Sequence, residues 1–268
     1  MNDIKISVII PTYNDAPFIE RTIRSVINQT YKNWELIIIN DASIDDAEKK
    51  ILKYVKKNKR IRYFKNKINL GVVENLNRGL RLAKGEFVAR LDGDDIWLDP
   101  RKLQLQMEYL LYNPQVVLVG SWGYRIDSND KILEKLQYPI QDKEIRRYML
   151  IENCFIHSAV MYRRKYVLGI GGYDAAYGIA QDYELWLRLA RNNKVHNIPK
   201  YMIGYRINNK GLSRTRYNDQ LKNTFLAIKR NRHYYPSFPL ALTMWHARKL
   251  IPRNIREYLS RQVRKFVA

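Results

Sequence analysis

Gly85-Glu86-Phe87-Val88-Ala89-Arg90-Leu91-Asp92-Gly93-Asp94-Asp95 is the stretch on which the fold turns. An apolar-rich run ends in three carboxylates within four positions. Like charges this close repel, so the cluster costs free energy unless something cationic lies among them. The run reads as a strand feeding a loop, and open α/β sheets bind ligands beyond the carboxyl ends of their strands. A site for a hard divalent cation, which takes carboxylate oxygens, is one reading. A turn followed by a helix cap is the other, since Asp favours both.

Upstream, strand-like and helix-like segments alternate. Ile6 to Pro11 is a short apolar run suited to a strand buried on both faces. Phe18 to Gln29 has helical spacing, with Ile19, Ile23, Val26 and Ile27 on one stripe. Trp34 to Asn40 predicts a second strand, followed by an acidic turn and a helix to about Lys57. Arg60 to Phe64 predicts a weaker third strand, Gly71 to Lys84 a helix, and Gly85 to Leu91 the fourth strand. This rhythm predicts a mostly parallel, doubly wound α/β sheet. Three strand ends then share one edge: Pro11-Thr12-Tyr13-Asn14, Asn40-Asp41-Ala42-Ser43 and Asp92-Gly93-Asp94-Asp95. They offer hydroxyls, amides, an aromatic ring and carboxylates, which suit a base, a ribose and a metal-bound diphosphate. No Gly-x-Gly-x-x-Gly follows the first strand and no phosphate-loop motif occurs, which argues against a dinucleotide fold and a P-loop enzyme.

Four segments together resemble family 2 glycosyltransferases of the GT-A type fold: Ser7-Val8-Ile9-Ile10-Pro11-Thr12-Tyr13-Asn14, Glu35 to Ser43, Asn69-Leu70-Gly71 with Leu76-Asn77-Arg78-Gly79, and Leu91 to Asp95. The resemblance implies an inverting enzyme that uses a nucleotide-sugar donor, most simply a UDP-sugar. It implies that Asp41 hydrogen-bonds the base and that Pro11, Thr12, Tyr13, Asn14 and Asn77 line the nucleotide pocket. Asp92-Gly93-Asp94 becomes the metal and ribose-diphosphate motif for Mn2+ or Mg2+, with Asp94 a direct ligand and Asp92 shared between ribose and metal. On the residues alone, Asp41 as a helix cap and Asn77 as a solvated helix position remain open.

Downstream, Asp99-Pro100 starts a helix to about Tyr112, and Val116 to Tyr124 and Ile132 to Tyr138 read as strands. Asn153-Cys154-Phe155-Ile156-His157-Ser158 resembles the family's entry to the acceptor half, where His157 contacts donor or acceptor or is a satisfied core histidine. In Gln181-Asp182-Tyr183-Glu184-Leu185-Trp186-Leu187-Arg188-Leu189, Asp182 shares a helix face with Leu185, Trp186 and Leu189. Glu184 and Arg188 are expected outward, as an i,i+4 pair. An inward Asp is costly unless paired or used, and desolvation would make it a better base. The alternative is an Asp favoured by the helix dipole. The resemblance implies that Asp182 is the catalytic base and Trp186 part of an acceptor platform. Gln181 stands where relatives commonly carry Glu. Asn208 and Asn209 stand where many carry a histidine, so Arg206, Lys210 or Arg214 is expected to steady the diphosphate instead.

The 268 residues carry a formal net charge of +22, which points to an anionic partner. Residues 210–268 hold fourteen Lys and Arg against two Asp and Glu, a net +12, with aromatic and aliphatic residues interleaved. We expect residues 1–210 to form the glycosyltransferase domain, with 1–100 the nucleotide-sugar half and 101–210 the acceptor half. Residues 211–268 are expected to add a basic helical extension, either on an anionic membrane surface or as a cap on the acceptor half. Nucleic acid is disfavoured because no recognisable module accompanies the charge. The single Cys154 excludes an internal disulfide and a cysteine metal cluster. With no apolar run near ~20 residues, the expected location is cytoplasmic, with a peripheral position on the inner membrane face.

The function so implied is transfer of a sugar to a glycan or lipid-linked glycan in cell-surface polysaccharide synthesis. Two other readings are a metal-dependent sugar-phosphate nucleotidyltransferase and a non-catalytic basic protein binding membrane or nucleic acid. The first lacks a matching glycine-arginine phosphate loop. The second leaves three polar motifs at successive strand ends unexplained.

Overall fold

The computed structural model describes residues 4–207 and 215–250, with only the backbone for 248–250. Asn208, Asn209, Lys210, Arg214, the expected boundary at 210/211 and residues 251–268 of the basic tail lie outside the described residues.

β1 (Ile6–Thr12), β2 (Trp34–Asn40), β3 (Ile61–Lys65) and β4 (Phe87–Arg90) are parallel and lie side by side in the order β3-β2-β1-β4. α1 (Ile19–Ile27), α2 (Ala47–Lys57) and α3 (Val72–Leu82) connect them. β1, β2 and β4 are buried along their whole length, as their Ile- and Val-rich runs require when both faces are covered. Alternate residues feed two cores. Ile9, Ile37 and Ile39 join the layer containing Leu76 and Leu80 of α3, while Val8, Ile10, Leu36 and Ile38 meet Ile19 and Ile23 of α1.

The order reverses at β1: β2 and β3 build to one side and β4 to the other. Beyond the carboxyl ends of β1 and β4 the loops must diverge, which leaves a crevice. The acidic stretch lies at that point.

Past β4 the sheet is mixed. β8 (Met161–Arg163) runs antiparallel to β4 and to β6 (Val116–Ile126). β6 pairs in parallel with the thirteen-residue β9 (Lys194–Arg206), and β7 (Ile132–Leu136) flanks β6. β5 (Ile96–Trp97) pairs with Ile203 and Gly204 of β9 and so stitches the chain just after the acidic loop to β9. α4 (Lys102–Tyr112), α5 (Asp142–Tyr148) and α6 (Arg164–Gly169) complete the layers. The parallel, doubly wound character therefore belongs to the first half. β9 has no clean sequence signature, since Pro199 interrupts it and its register against β6 shifts near Ser121 and Trp122.

α7 (Gln181–Ala190) is covered on its outer side by α8 (Tyr217–Asn231). This corrects the expectation of an outward Glu184–Arg188 pair. Glu184 is 0% exposed, the pair is formed at 2.7 Å, and Arg188 also donates to the carbonyls of Ile170 and Gly172. A helix enclosed on both sides has no solvent face to give its charges. Ala227 and Ile228 of α8, Tyr235, and Ala241 of α9 (Phe238–Leu250) join the core that contains Leu185 and Trp186. The described start of the basic extension is thus part of the core that packs α7. Among the described residues no helix is long and apolar enough to cross a membrane.

Ile228→Ala is expected to lower unfolding stability by about 2–5 kcal/mol, the usual cost of emptying a fully buried aliphatic site. Urea denaturation checks it; an unchanged midpoint would mean that α8 is an independent appendage.

Candidate active site

The acidic loop is held from every side. The Asp92 N–H donates to Ser158 Oγ (3.0 Å), and Ser158 Oγ lies 3.0 Å from Asp92 Oδ2 and 2.5 Å from Asp95 Oδ2. Thr22 Oγ1 bonds the carbonyls of Gly93 (2.9 Å) and Asp95 (2.8 Å). Asp95 is 1% exposed and takes the Arg206 N–H at 2.7 Å, so it anchors the loop. Gly93 has a steric reason: a Cβ there would stand 2.2 Å from Asp15 Oδ2. Asp15, on the loop after β1, accepts from Thr12 Oγ1 (2.8 Å) and the Tyr13 N–H (3.2 Å). Asp15, Asp92 and Asp94 thus lie near enough to act on one another's charge, with Asp95 buried behind them.

Their electrostatics differ. Burial, with Asp94 and then Asp92 nearby, raises the Asp15 carboxyl to about 7. The same causes push Asp95 well above the carboxylate range. Burial also works against ionised Asp92, but the Arg90 guanidinium, bonded to Asp92 Oδ1, outweighs it and holds Asp92 below its ordinary value. Arg90 is fully buried at the end of β4 and also donates to the carbonyls of Ile9 and Leu91.

Arg206 is not a diphosphate ligand as expected. It is 2% exposed, its Nε donates to the Asp94 carbonyl (2.6 Å), and its remaining nitrogens reach the Asp127 carbonyl and the Asp130 carboxylate. β9 delivers it behind the acidic loop, where it braces the loop backbone.

On the nucleotide side, Asp41 is 4% exposed. Its Oδ1 accepts from Asn66 Nδ2 and the Leu70 N–H (both 2.8 Å), and its Oδ2 accepts from the Gly71 N–H (2.9 Å). Asp41 therefore ties the end of β2 to the start of α3, with acceptor capacity left on Oδ2. A cavity of about 420 Å³ lined by Ala42, Ser43, Lys65, Asn66 and Lys67 opens nearby. Asn14, at φ 58°, donates its N–H to Ser43 Oγ and accepts the Ile44 N–H, linking the two loops. Tyr13 is 47% exposed at the mouth, whereas Pro11 and Thr12 are buried in β1 and act from behind.

Asn77 does not line the nucleotide pocket. Its amide is spent on both backbone groups of Tyr173, with Nδ2 donating to the carbonyl (2.8 Å) and Oδ1 accepting from the N–H (2.9 Å). Gly172, at φ 72°, permits this approach, since a Cβ there would lie 2.6 Å from Asn77 Oδ1. The Tyr173 hydroxyl in turn lies 3.1 Å from His157 Nε2. Asn77 thus acts through Tyr173 to set the position of His157.

Across the crevice, Asp182 sits in the first turn of α7, half-buried. Burial raises its carboxyl to about 6, against a hydrogen bond from the Tyr183 N–H and with the Asp92 charge adding to the rise. Asn153 Nδ2 donates to Asp182 Oδ2 at 3.1 Å. Burial first, and then Arg90, drive His157 down to about 3, so its ring is neutral. Trp186 is corrected: at 0% exposure it meets no acceptor, and it packs edge-on against Phe155, His157 and Tyr173.

The structure brings together Asp92, Asp94, Asp182 and His157, and adds Asp15, Arg90, Asn153 and Ser158. Asn153 and Ser158 lay within a segment already singled out, and Arg90 showed as a charge inside an apolar strand. Asp15 carries no local sign in the sequence that it faces a loop some eighty residues on. Among the described residues, no three His, Cys, Asp or Glu side chains stand gathered to hold a metal ion. The donor set nevertheless fits one: it is all hard oxygen, and Asp15 and Asp95 are raised first by burial and then by the neighbouring Asp94 and Asp92 charges, which a cation would offset.

The model of glycosyl transferase family 2 matches residues 7–170. An uncharacterized glycosyltransferase of Methanocaldococcus jannaschii is 33% identical over 228 residues, covering 84% of this chain and 78% of its own length. An Escherichia coli UDP-Glc:alpha-D-GlcNAc-diphosphoundecaprenol beta-1,3-glucosyltransferase is 31% identical, covering 82% and 83%. Among solved structures, S. aureus TarS in complex with UDP-GlcNAc superposes with a TM-score of 0.67 at 18% identity, over 83% of this chain and 65% of that one. The mannosyltransferase PcManGT from Pyrobaculum calidifontis, in complex with GDP-Man and Mn2+, superposes with a TM-score of 0.64 at 18% identity, over 96% and 79%.

A carboxyl raised to about 7 favours the fold at low pH, and that contribution is lost as pH rises through 7. A bound cation relieves this, but competes with the proton below pH 7. The rise in melting temperature produced by Mn2+ is therefore expected to be larger at pH 8 than at pH 6. Asp15→Asn should flatten that difference; an equal Mn2+ effect at both pH values in the wild type would exclude Asp15 from the cation's surroundings.

Proposed function

The chain belongs to glycosyl transferase family 2, and from that premise we propose that it transfers a sugar from a nucleotide-sugar, with inversion, to a glycan or lipid-linked glycan hydroxyl. The observation that carries this reading is the pairing across one crevice. The acidic loop stands at the switch point of the sheet, and Asp182 stands opposite, near enough for the Asp92 charge to act on it.

Asp94 and Asp92, with Asp15 beside them, would hold a divalent cation, Mn2+ or Mg2+, which supplies charge neutralisation to the diphosphate when bound. The other steps belong to the chain's own side chains. Asp41, Tyr13 and Asn14 shape the base and ribose side. Asp182 takes the proton of the acceptor hydroxyl as its oxygen bonds to the anomeric carbon. The bond from that carbon to the diphosphate oxygen breaks, and its electron pair leaves with the nucleoside diphosphate. Neutral His157, fixed by Tyr173 and Trp186, presents a hydrogen-bonding ring to the crevice without adding a charge. A carboxyl near 6 is a competent base at neutral pH, mostly ionised yet more basic than an ordinary Asp.

A UDP-sugar donor and a lipid-diphosphate-linked acceptor are supported by the E. coli relative, whose own name states both. A cell-surface polysaccharide as product accords with relatives such as the O-antigen biosynthesis glycosyltransferase of E. coli. A resting place on an anionic membrane face is supported by α9, which exposes Leu240 and carries half-exposed Phe238, Leu242, Met244 and Trp245 ahead of the basic residues of the chain end. The protein should sediment with phosphatidylglycerol vesicles at low salt and not with neutral ones; equal partition to both would remove the electrostatic part of this reading.

With a UDP-sugar and an undecaprenyl-diphosphate glycan, Asp182→Asn is expected to keep donor affinity and lose transfer by at least ~100-fold. Asp94→Ala should instead lose the manganese dependence of donor binding. Wild-type transfer by Asp182→Asn would overturn the base assignment.

A further inference from the structure

We propose that Asn153 is the positioning residue of the catalytic base: it pins one carboxylate oxygen of Asp182 and so leaves the other to face the acceptor hydroxyl. The inference rests on the reading of Asp182 as base.

Asn153 lies on the loop between α5 and β8. Its amide is oriented from both ends. Oδ1 accepts the N–H of Phe155 two residues on (3.1 Å), which fixes the oxygen toward its own backbone. The NH2 must then point away, and it meets Asp182 Oδ2 at 3.1 Å. Both ends of the amide are engaged. Phe155 is 3% exposed and packs edge-on against Trp186, one helical turn along α7 from Asp182. The same rigid aromatic contact therefore holds donor and acceptor of the Asn153–Asp182 bond in register.

A carboxylate has two oxygens, and a base must present a particular one. The Tyr183 N–H at the start of α7 also donates to the Asp182 carboxyl and, like Asn153, favours its ionised form. Other groups bearing on it are Asp92, whose charge disfavours its ionisation, and the Tyr173 ring, whose hydroxyl is engaged with His157. Burial and Asp92 both push the Asp182 proton on; the side-chain donor opposing them is Asn153. The bond acts in two ways. It sets which oxygen is available, and with the Tyr183 N–H it favours the ionised carboxylate. Asn is suited to the place because it donates without bringing a charge that would pair with Asp182 and make it a poor base.

Asn153→Asp tests this by keeping Oδ1 to accept the Phe155 N–H while the donor is lost and a like charge is set beside Asp182; Asn153→Ala removes the donor without adding a charge. The acid limb of the pH profile of kcat/KM for the acceptor should move up by about one unit or more. The rate at pH 7 should fall at least ~10-fold, with the donor KM within about twofold of wild type. Asn153→Ala should move the limb in the same direction, and urea midpoints check that both variants fold. A purely structural role predicts losses that are equal at all pH values, and that result, or a wild-type profile in both variants, overturns the inference. Asp182→Asn serves as the control that separates the two claims. If it retains transfer, the base assignment itself fails. If it loses transfer while the Asn153 variants keep the wild-type profile, only the positioning role fails.

Discussion

Negative charge crowded at the carboxyl end of β4 is the constraint around which the rest of the structure is arranged. Asp15, Asp92, Asp94 and Asp95 act on one another's charge there, and two buried arginines hold the loop. Their tasks are distinct. Arg90 pairs directly with Asp92 and keeps it ionised. Arg206 touches no loop carboxylate through its guanidinium; it holds the Asp94 carbonyl, and its backbone N–H holds Asp95. One arginine therefore tunes charge and the other fixes shape. Arg206 spends its charge on Asp130, so Arg90 is the guanidinium that meets a loop carboxylate directly.

Topology supplies the place for that loop. In the order β3-β2-β1-β4 the connections leave the sheet in opposite directions on the two sides of β1. The loops after β1 and β4 can then face one another without obstruction, and Gly93 lets Asp15 come into contact range. β8 runs antiparallel to β4 and so brings Ser158, at its entry, to the carboxyl end of β4. Had β8 been parallel, its entry would lie at the opposite edge of the sheet. The mixed second half is thus the feature that joins the segment carrying Ser158 to the acidic loop.

The acceptor side is a stack with a clear order of support. α8 covers α7, Tyr235 donates its hydroxyl to the Leu187 carbonyl at 2.6 Å, and α7 in turn presents Trp186 inward to Phe155, His157 and Tyr173. Asp182 and His157 are held by this stack rather than by the sheet. The buried face of α8 belongs to it, with Ala227 and Ile228 in the same core as Leu185 and Trp186.

The sequence by itself determined the parallel half of the sheet, the common edge of three strand ends, the acidic loop and the inward direction of Asp182. Each is written in short-range patterns: apolar runs of strand length, helical spacing, and polar residues where an apolar run stops. Only the tertiary structure decided what those residues touch. Asp15 faces Gly93 because of strand order, Arg206 reaches Asp94 because β9 runs beside β6, and Asn77 and Trp186 are taken up by Tyr173 and the aromatic stack. Glu184 is buried because α8, some forty residues on, closes over α7. Periodicity reports which side of an element faces the core, but a core face and a ligand face look alike until the partner elements are in place.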